Sequence, residues 1–214
     1  MIVIIDGRSG AGKTTFAAAL ARALSAQVIH LDDFYPGWSG LAAASAMVAA
    51  DVFHPVRPGY WRWDWDNDRR GHWHSVDFSG GDHLIVEGCG ALSNESLAGA
   101  RLWARRLCPQ SPGQAVVSLY VDADPEFRKA RALARDPFFE PYWQMWARQE
   151  EEHARHMPPA DFVVDGALLD DVTTAALTRR IIRYGGREQG VGPGENQPEM
   201  KAVAGKETGM DAGL

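Results

Sequence analysis

Eight residues near the start of the chain, Gly7-Arg8-Ser9-Gly10-Ala11-Gly12-Lys13-Thr14, restrict the folds open to it more than any other stretch. They follow the apolar run Ile2–Ile5 and lead into Thr15-Phe16-Ala17-Ala18-Ala19-Leu20-Ala21, so strand, glycine-rich turn and helix succeed one another. In such a P-loop setting glycines turn backbone N–H groups around a phosphate, and the helix N-terminus adds its positive dipole. The spacing assigns Gly7, Ser9, Gly10, Ala11, Gly12, Lys13, Thr14 and Thr15 to nucleotide phosphates, with Lys13 reaching the β- and γ-phosphates and the Thr14 hydroxyl offered to Mg²⁺. No Asn-Lys-x-Asp guanine-reading segment occurs, which favours ATP as the nucleotide.

The remaining chain alternates strand-length apolar runs with helical patterns. Runs at Ile2–Ile5, Val28–Leu31, Leu84–Val86, Val116–Val121 and Phe162–Val164 read as five parallel strands. Helices are expected over Lys13–Ser25, Gly40–Ala50, Ser96–Leu107, Pro125–Arg135, Pro141–His156 and Leu168–Arg183. This is the pattern of an α/β three-layer sandwich of the P-loop NTPase type, with ligands at the C-terminal strand ends. A domain is expected over 1–184, with a hairpin insertion at about 53–80, a lid at about 128–142, and a disordered tail over 185–214, where large apolar residues nearly vanish.

A formal charge of −6 argues against nucleic acid or a membrane surface as the main partner. Cys89 and Cys108 are too few for a disulfide framework or zinc site, and no secretory leader or membrane-length apolar run is seen. The expectation is a cytoplasmic monomer or homodimer acting on a small molecule.

Two further strands end in acid. Val28–Leu31 delivers Asp32-Asp33 to the sheet edge that carries the P-loop, where a carboxylate can take a hydroxyl proton and help hold a metal. Leu84–Val86 ends in Glu87, followed by Gly88, and Glu87 is placed to hold the Mg²⁺ shell.

Together with the P-loop, Asp32-Asp33-Phe34-Tyr35, Val86-Glu87-Gly88 and Arg131-Ala132-Leu133-Ala134-Arg135-Asp136 make the chain resemble the uridine kinase, nicotinamide riboside kinase and phosphoribulokinase group of small-molecule P-loop kinases. The resemblance covers roughly the first 165 residues and implies ATP-dependent transfer to a hydroxyl, with a nucleoside as acceptor. It implies Asp32 as the base, Tyr35 facing the acceptor, and Arg131 and Arg135 as lid arginines on the developing phosphoryl charge. Arg128 shares their face at helical spacing. Ala160–Gly166 is similar to the group's last strand, whose following loop lies beside the adenine. The lid is shorter and less basic than in uridine kinases, so two other readings stay open: a kinase of a non-nucleoside alcohol such as a vitamin precursor or sugar acid, and a nucleotide-binding switch without transfer.

Between the second and third strands, Trp61, Trp63 and Trp65 alternate with Arg62, Asp64 and Asp66, which is the period of a strand, and Asn67–Gly71 reads as a hairpin turn. In the resembling group an insertion here covers the acceptor, which makes Arg57, Tyr60, Asp64 and Arg69 candidate substrate contacts. His72 and His74 read as a solvated pair, Glu150–His153 and His156 as an exposed helix face, and Trp143 and Trp146 as core.

Overall fold

A run of four β-branched residues is apolar on both faces, which suits a strand covered on both sides. In the computed structural model, which describes residues 1–78, 83–107 and 116–187, that run forms β1 (Ile2–Gly7), buried throughout. The chain continues through α1 (Lys13–Leu24), β2 (Gln27–His30), α2 (Leu41–Met47), β3 (Gly59–Asp64), β4 (Arg69–Ser75), β5 (Leu84–Glu87) and α3 (Asn94–Leu107). It ends with β6 (Val116–Asp122), α4 (Pro125–Arg135), α5 (Trp143–His156), β7 (Phe162–Asp165) and α6 (Asp171–Arg187).

Five strands pair in parallel in the order β2-β5-β1-β6-β7, and β3-β4 form a separate antiparallel hairpin. The expected α/β sandwich with a five-stranded parallel sheet and a hairpin insertion is therefore the observed fold. Because β5 lies on one side of β1 and β6 on the other, the connections part at β1, and the crevice opens at its C-terminal end.

Alternation along the strands feeds two cores. Ile2 and Ile4 pack on one face with Leu41, Val48, Leu92 and Leu97, under α2 and α3. Val3 and Ile5 pack on the other with Phe16, Leu20, Phe162 and Ile181, under α1 and α6. Each fully buried Ile, Leu or Phe contributes about 1.5–3 kcal/mol relative to exposure, so this double face fixes where the strand ends lie.

Boundaries differ from expectation where local signals compete. The alanine-rich helix stops at Met47 and passes into a π-helical turn over Val48–Val52. Pro137–Tyr142 form a 3₁₀ segment, so α5 begins at Trp143 rather than Pro141. The hairpin turn lies between Asp64 and Arg69, two to three residues earlier than the Asn67–Gly71 reading. Helix α6 runs on to Arg187, and Gly185 lies so near Met1 that a Cβ there would meet its sulfur at 2.3 Å. Cys108 and the expected tail from residue 188 onward lie outside the described residues. No described helix is long and apolar enough to cross a membrane.

Candidate active site

The loop after β1 is shaped by glycine. Gly10 has φ +80°, and a Cβ there would stand 2.0 Å from the Arg128 carbonyl oxygen, so only glycine lets the loop pass against α4. Gly12, at φ +104°, occupies the cap position of α1, and no side chain caps that helix. The first N–H groups of α1, from Lys13, Thr14 and Thr15, have no intrahelical acceptor and face the crevice with the helix dipole behind them. An uncapped helix start with a glycine turn is the donor set that suits a phosphate.

Beyond the loop, a cleft of about 170 Å³ brings together most of the residues singled out in the sequence. Ser9, Gly10, Gly12, Lys13, Thr14 and Thr15 form its floor; Asp32 and Glu87 come from the ends of β2 and β5, and Arg131 and Arg135 from α4. Gly7 and Ala11 shape the loop from behind: the Ala11 amide donates to the Arg8 carbonyl at 3.2 Å, and a Cβ on Gly7 would strike the Val121 carbonyl oxygen.

Lys13 is buried, and its Nζ donates to the Arg8 carbonyl at 3.1 Å and lies 3.4 Å from Cys89 Sγ. Burial opposes its charge, yet neighbouring Cys89, Glu87, Glu150 and Asp6 hold its pKa above the ordinary lysine value. The carboxylates carry that effect at neutral pH, because burial pushes the Cys89 thiol up to about 12 and leaves it protonated. The Thr14 hydroxyl donates to Glu87 Oε1 at 3.1 Å, and His30 Nδ1 meets the same oxygen at 2.5 Å. That bond outweighs burial and raises the His30 pKa. Asp32 is open to solvent at the cleft mouth while protein atoms crowd it from the other sides. The crowding and nearby Glu87 raise its pKa, against the pull of Lys13 and Arg135.

Thr14 and Glu87 form a hard-oxygen pair beside the phosphate floor, a donor set that fits Mg²⁺. Among the described residues no group of three or more His, Cys, Asp or Glu side chains could hold a metal. Mg²⁺ bound through one or two protein oxygens, waters and substrate phosphates needs none.

Several expected contacts lie elsewhere. Tyr35 does not face the cleft: it is buried, and its hydroxyl donates to the Cys89 carbonyl at 2.8 Å, because Gly88 lets β2 and β5 close around it. The Tyr60 ring packs on Phe34 and His74, and its hydroxyl donates to Asp33 at 3.2 Å. Asp64 closes the hairpin turn by accepting from the Asn67 backbone at 3.2 Å and side chain at 2.8 Å, and pairs with Arg69 at 3.6 Å. Arg69 is solvent-exposed, and Arg57 lies over the Trp73 ring at 4.4 Å. None of these five lines the cleft. Arg128 shares the face of Arg131 but lies beneath the P-loop, donating to the Ser9 carbonyl at 3.2 Å and paired with Asp122 at 3.2 Å and Glu150 at 3.7 Å.

The expected exposed face of α5 is exposed only in part. Glu151, Glu152 and His156 face solvent, whereas Glu150 is buried and accepts from the Ser9 amide at 2.6 Å. His153 Nε2 meets Asp6 Oδ2 at 2.9 Å, and Asp6 also accepts from the amides of Gly7, Gly90 and Leu92. The signal was present in the sequence, since Trp146, Glu150 and His153 recur at i, i+4 and i+7 on one helical face.

No protein-family model matches the chain, and no curated protein does. Solved structures do align with it. Shikimate kinase from Bacteroides thetaiotaomicron is 16% identical over 86% of this chain and 97% of its own, at a TM-score of 0.48. A protein described as a possible uridine kinase, from Bacillus stearothermophilus, is 22% identical over 77% and 88%, at 0.43. A gluconokinase from Sinorhizobium meliloti is 14% identical over 87% and 92%, also at 0.43. Likeness at this level assigns no activity, and the functional reading rests on this chain's own residues.

Proposed function

We propose that this protein is an ATP-dependent kinase that transfers the γ-phosphate to a hydroxyl of a small metabolite. One observation carries the reading: Lys13, Thr14, Asp32, Glu87, Arg131 and Arg135, drawn from four separate segments, line one cleft over an uncapped helix start. The P-loop amides and Lys13 would hold the β- and γ-phosphates of ATP. Asp32 takes the proton of the acceptor hydroxyl as its oxygen bonds to the γ-phosphorus; the bond to the bridging oxygen breaks, and its electron pair leaves on ADP. Arg131 and Arg135 face the charge that builds on the transferring group, and α4 presents them at the rim, where closure of the lid would exclude water. Thr14 and Glu87, with Asp32 beside them, would hold Mg²⁺, which supplies charge neutralisation of the phosphates.

The resemblance implies a nucleoside acceptor of the uridine type. A second reading, a non-aromatic alcohol such as a sugar acid or vitamin precursor, is supported by the cleft itself. Among the described residues lining it none is aromatic, and Trp38, Trp65, Tyr142 and Trp146 pack on one another or on Phe139 and Tyr35 instead of standing free to stack on a base. The test is ADP production from Mg·ATP with uridine, nicotinamide riboside, pantothenate, shikimate and gluconate, run on wild type and Asp32→Asn. A kinase gives acceptor-dependent ADP that falls by roughly two to four orders of magnitude in the variant. Nucleotide binding with no acceptor-dependent turnover across such a panel would instead favour a nucleotide switch.

A further inference from the structure

We propose that the hairpin β3-β4 is a brace for the Asp32 turn, with Trp65 as its main positioning residue; the catalytic part of this proposal rests on Asp32 acting as the base. The turn that carries Asp32 is slight. It is a single 3₁₀ segment, Leu31–Asp33, closed by the Phe34 and Tyr35 amides, which both donate to the Leu31 carbonyl at 2.9 and 3.0 Å. Those bonds fix the two ends of the turn and leave the peptide after Asp32 to be held by something else.

The hairpin holds it. The Trp65 indole N–H donates to the Asp32 carbonyl at 3.0 Å, Arg62 Nη2 to Asp33 Oδ1 at 2.7 Å, and the Tyr60 hydroxyl to Asp33 Oδ2 at 3.2 Å. Three donors from one hairpin thus fall on two consecutive residues, one of them lining the cleft. Tyr60 and Arg62 come from the same face of β3, and Trp65 from the turn that follows it.

Burial does not account for a tryptophan at this tip, since Trp65 is 39% exposed. Its contacts do. Besides the Asp32 carbonyl, its ring packs on Trp38 at 5.1 Å, and Trp38 stacks on Tyr142 at 4.4 Å with ring planes 6° apart. Tyr142 closes the 3₁₀ segment that follows Arg135. Through Trp65 the turn bearing the base is tied to the lid, so the two sides of the cleft keep register. Displacing a reacting group by about 1 Å can cost on the order of 10²-fold in rate.

Trp65→Phe separates the two roles, because it keeps a ring for Trp38 and removes the N–H donor. Hydrogen–deuterium exchange on the full chain without ligand is read at the Phe34 and Tyr35 amides. Exchange there should speed up about tenfold, the scale of one lost hydrogen bond, while the amides of β1 and β5 stay as in wild type. Mg·ATP hydrolysis, with water standing in for the acceptor, is then measured in both Asp32 and Asp32→Asn backgrounds. The Trp65→Phe change should slow it about tenfold in the first and less than about twofold in the second, because a residue acting through Asp32 has nothing left to position. Unchanged exchange at Phe34 and Tyr35, or an equal loss in both backgrounds, would overturn the proposal. Asp32→Asn hydrolysing ATP as fast as wild type would instead overturn the base assignment, and faster exchange at the turn would still establish the brace.

Discussion

The loop after β1 and the hairpin β3-β4 are both rich in polar groups, both lie at the C-terminal edge of the sheet, and they use those groups in opposite ways. The loop leaves its helix start uncapped and gathers Lys13, Arg131 and Arg135 around a cleft. Four polar side chains of the hairpin bond to the protein: Tyr60 and Arg62 to Asp33, Trp65 to Asp32, Asp64 to Asn67. A phosphate site keeps backbone donors open at a helix start, whereas a brace spends side-chain donors on neighbouring residues, because a buried polar group left unmade costs about 1–3 kcal/mol. The contrast teaches that polar richness near strand ends does not locate a site; open backbone donors at a helix start, with charged side chains converging on one cleft, do.

The sharpest way to break the contrast is at Lys13. Lys13→Ala removes a buried cation aimed at the phosphate floor, and is expected to lower phosphoryl transfer by at least about three orders of magnitude and to weaken ATP binding. Isothermal titration with ATP and a transfer assay check the two halves separately. Near-normal turnover would remove the P-loop from the chemistry.

The next effect falls on the support beneath the loop. Glu150 receives the Ser9 amide and neighbours buried Arg128, so Glu150→Ala leaves a half-buried amide and part of a buried cation uncompensated. A loss of about 3 kcal/mol is expected in chemical denaturation, less for Glu150→Gln, which keeps an acceptor. If the alanine variant were as stable as wild type, the loop would not depend on α5 for its shape.

How legible these regions were in sequence follows from the range of each signal. Strand positions could be read because contiguous apolar runs bounded by polar residues are local: Val28–Leu31 against the observed Gln27–His30 differs by one residue at each end. Strand ends of a parallel sheet share one edge, so Asp32, Glu87 and the loop could be brought together without coordinates. The period-2 alternation at Trp61–Trp65 correctly indicated a hairpin but not what each side chain would meet, since its partners on Asp32 and Asp33 are distant in sequence. Asp64 followed three residues later by Asn67 is a turn signal of the Asx type, and in the structure Asp64 closes that turn. Glu150 was hidden by Glu151 and Glu152, two exposed neighbours of the same type, and only helical phase with Trp146 sets it apart.

The pair between His153 and Asp6 gives the comparison a pH dependence. Burial lowers the His153 pKa, but the bond to Asp6 and its charge outweigh burial, and the net shift is upward. A raised folded-state pKa means that the stabilisation is complete below the unfolded value of about 6.5 and is lost as pH rises through the folded value. Wild type should therefore lose part of its unfolding free energy on moving upward from about pH 6, whereas His153→Gln should lack that component. Parallel pH profiles for the two proteins would show that the imidazolium contributes nothing.

The smallest effects are expected at the outer hairpin, where the contrast is most exposed to failure. Arg57 and Arg69 were candidates for acceptor contact, yet Arg57 lies over Trp73 and Arg69 faces solvent beside Asp64, both outside the cleft. Arg57→Ala and Arg69→Ala should each change stability by less than about 0.5 kcal/mol, the usual range for surface positions, and should leave KM and kcat within about twofold of wild type. Equilibrium denaturation with a kinetic assay on the acceptor found by screening measures both. A tenfold rise in acceptor KM at either position, with stability unchanged, would mean that the hairpin swings its charged rim over the acceptor during turnover. The brace would then be one of two states of the hairpin, and these arginines would return to the site.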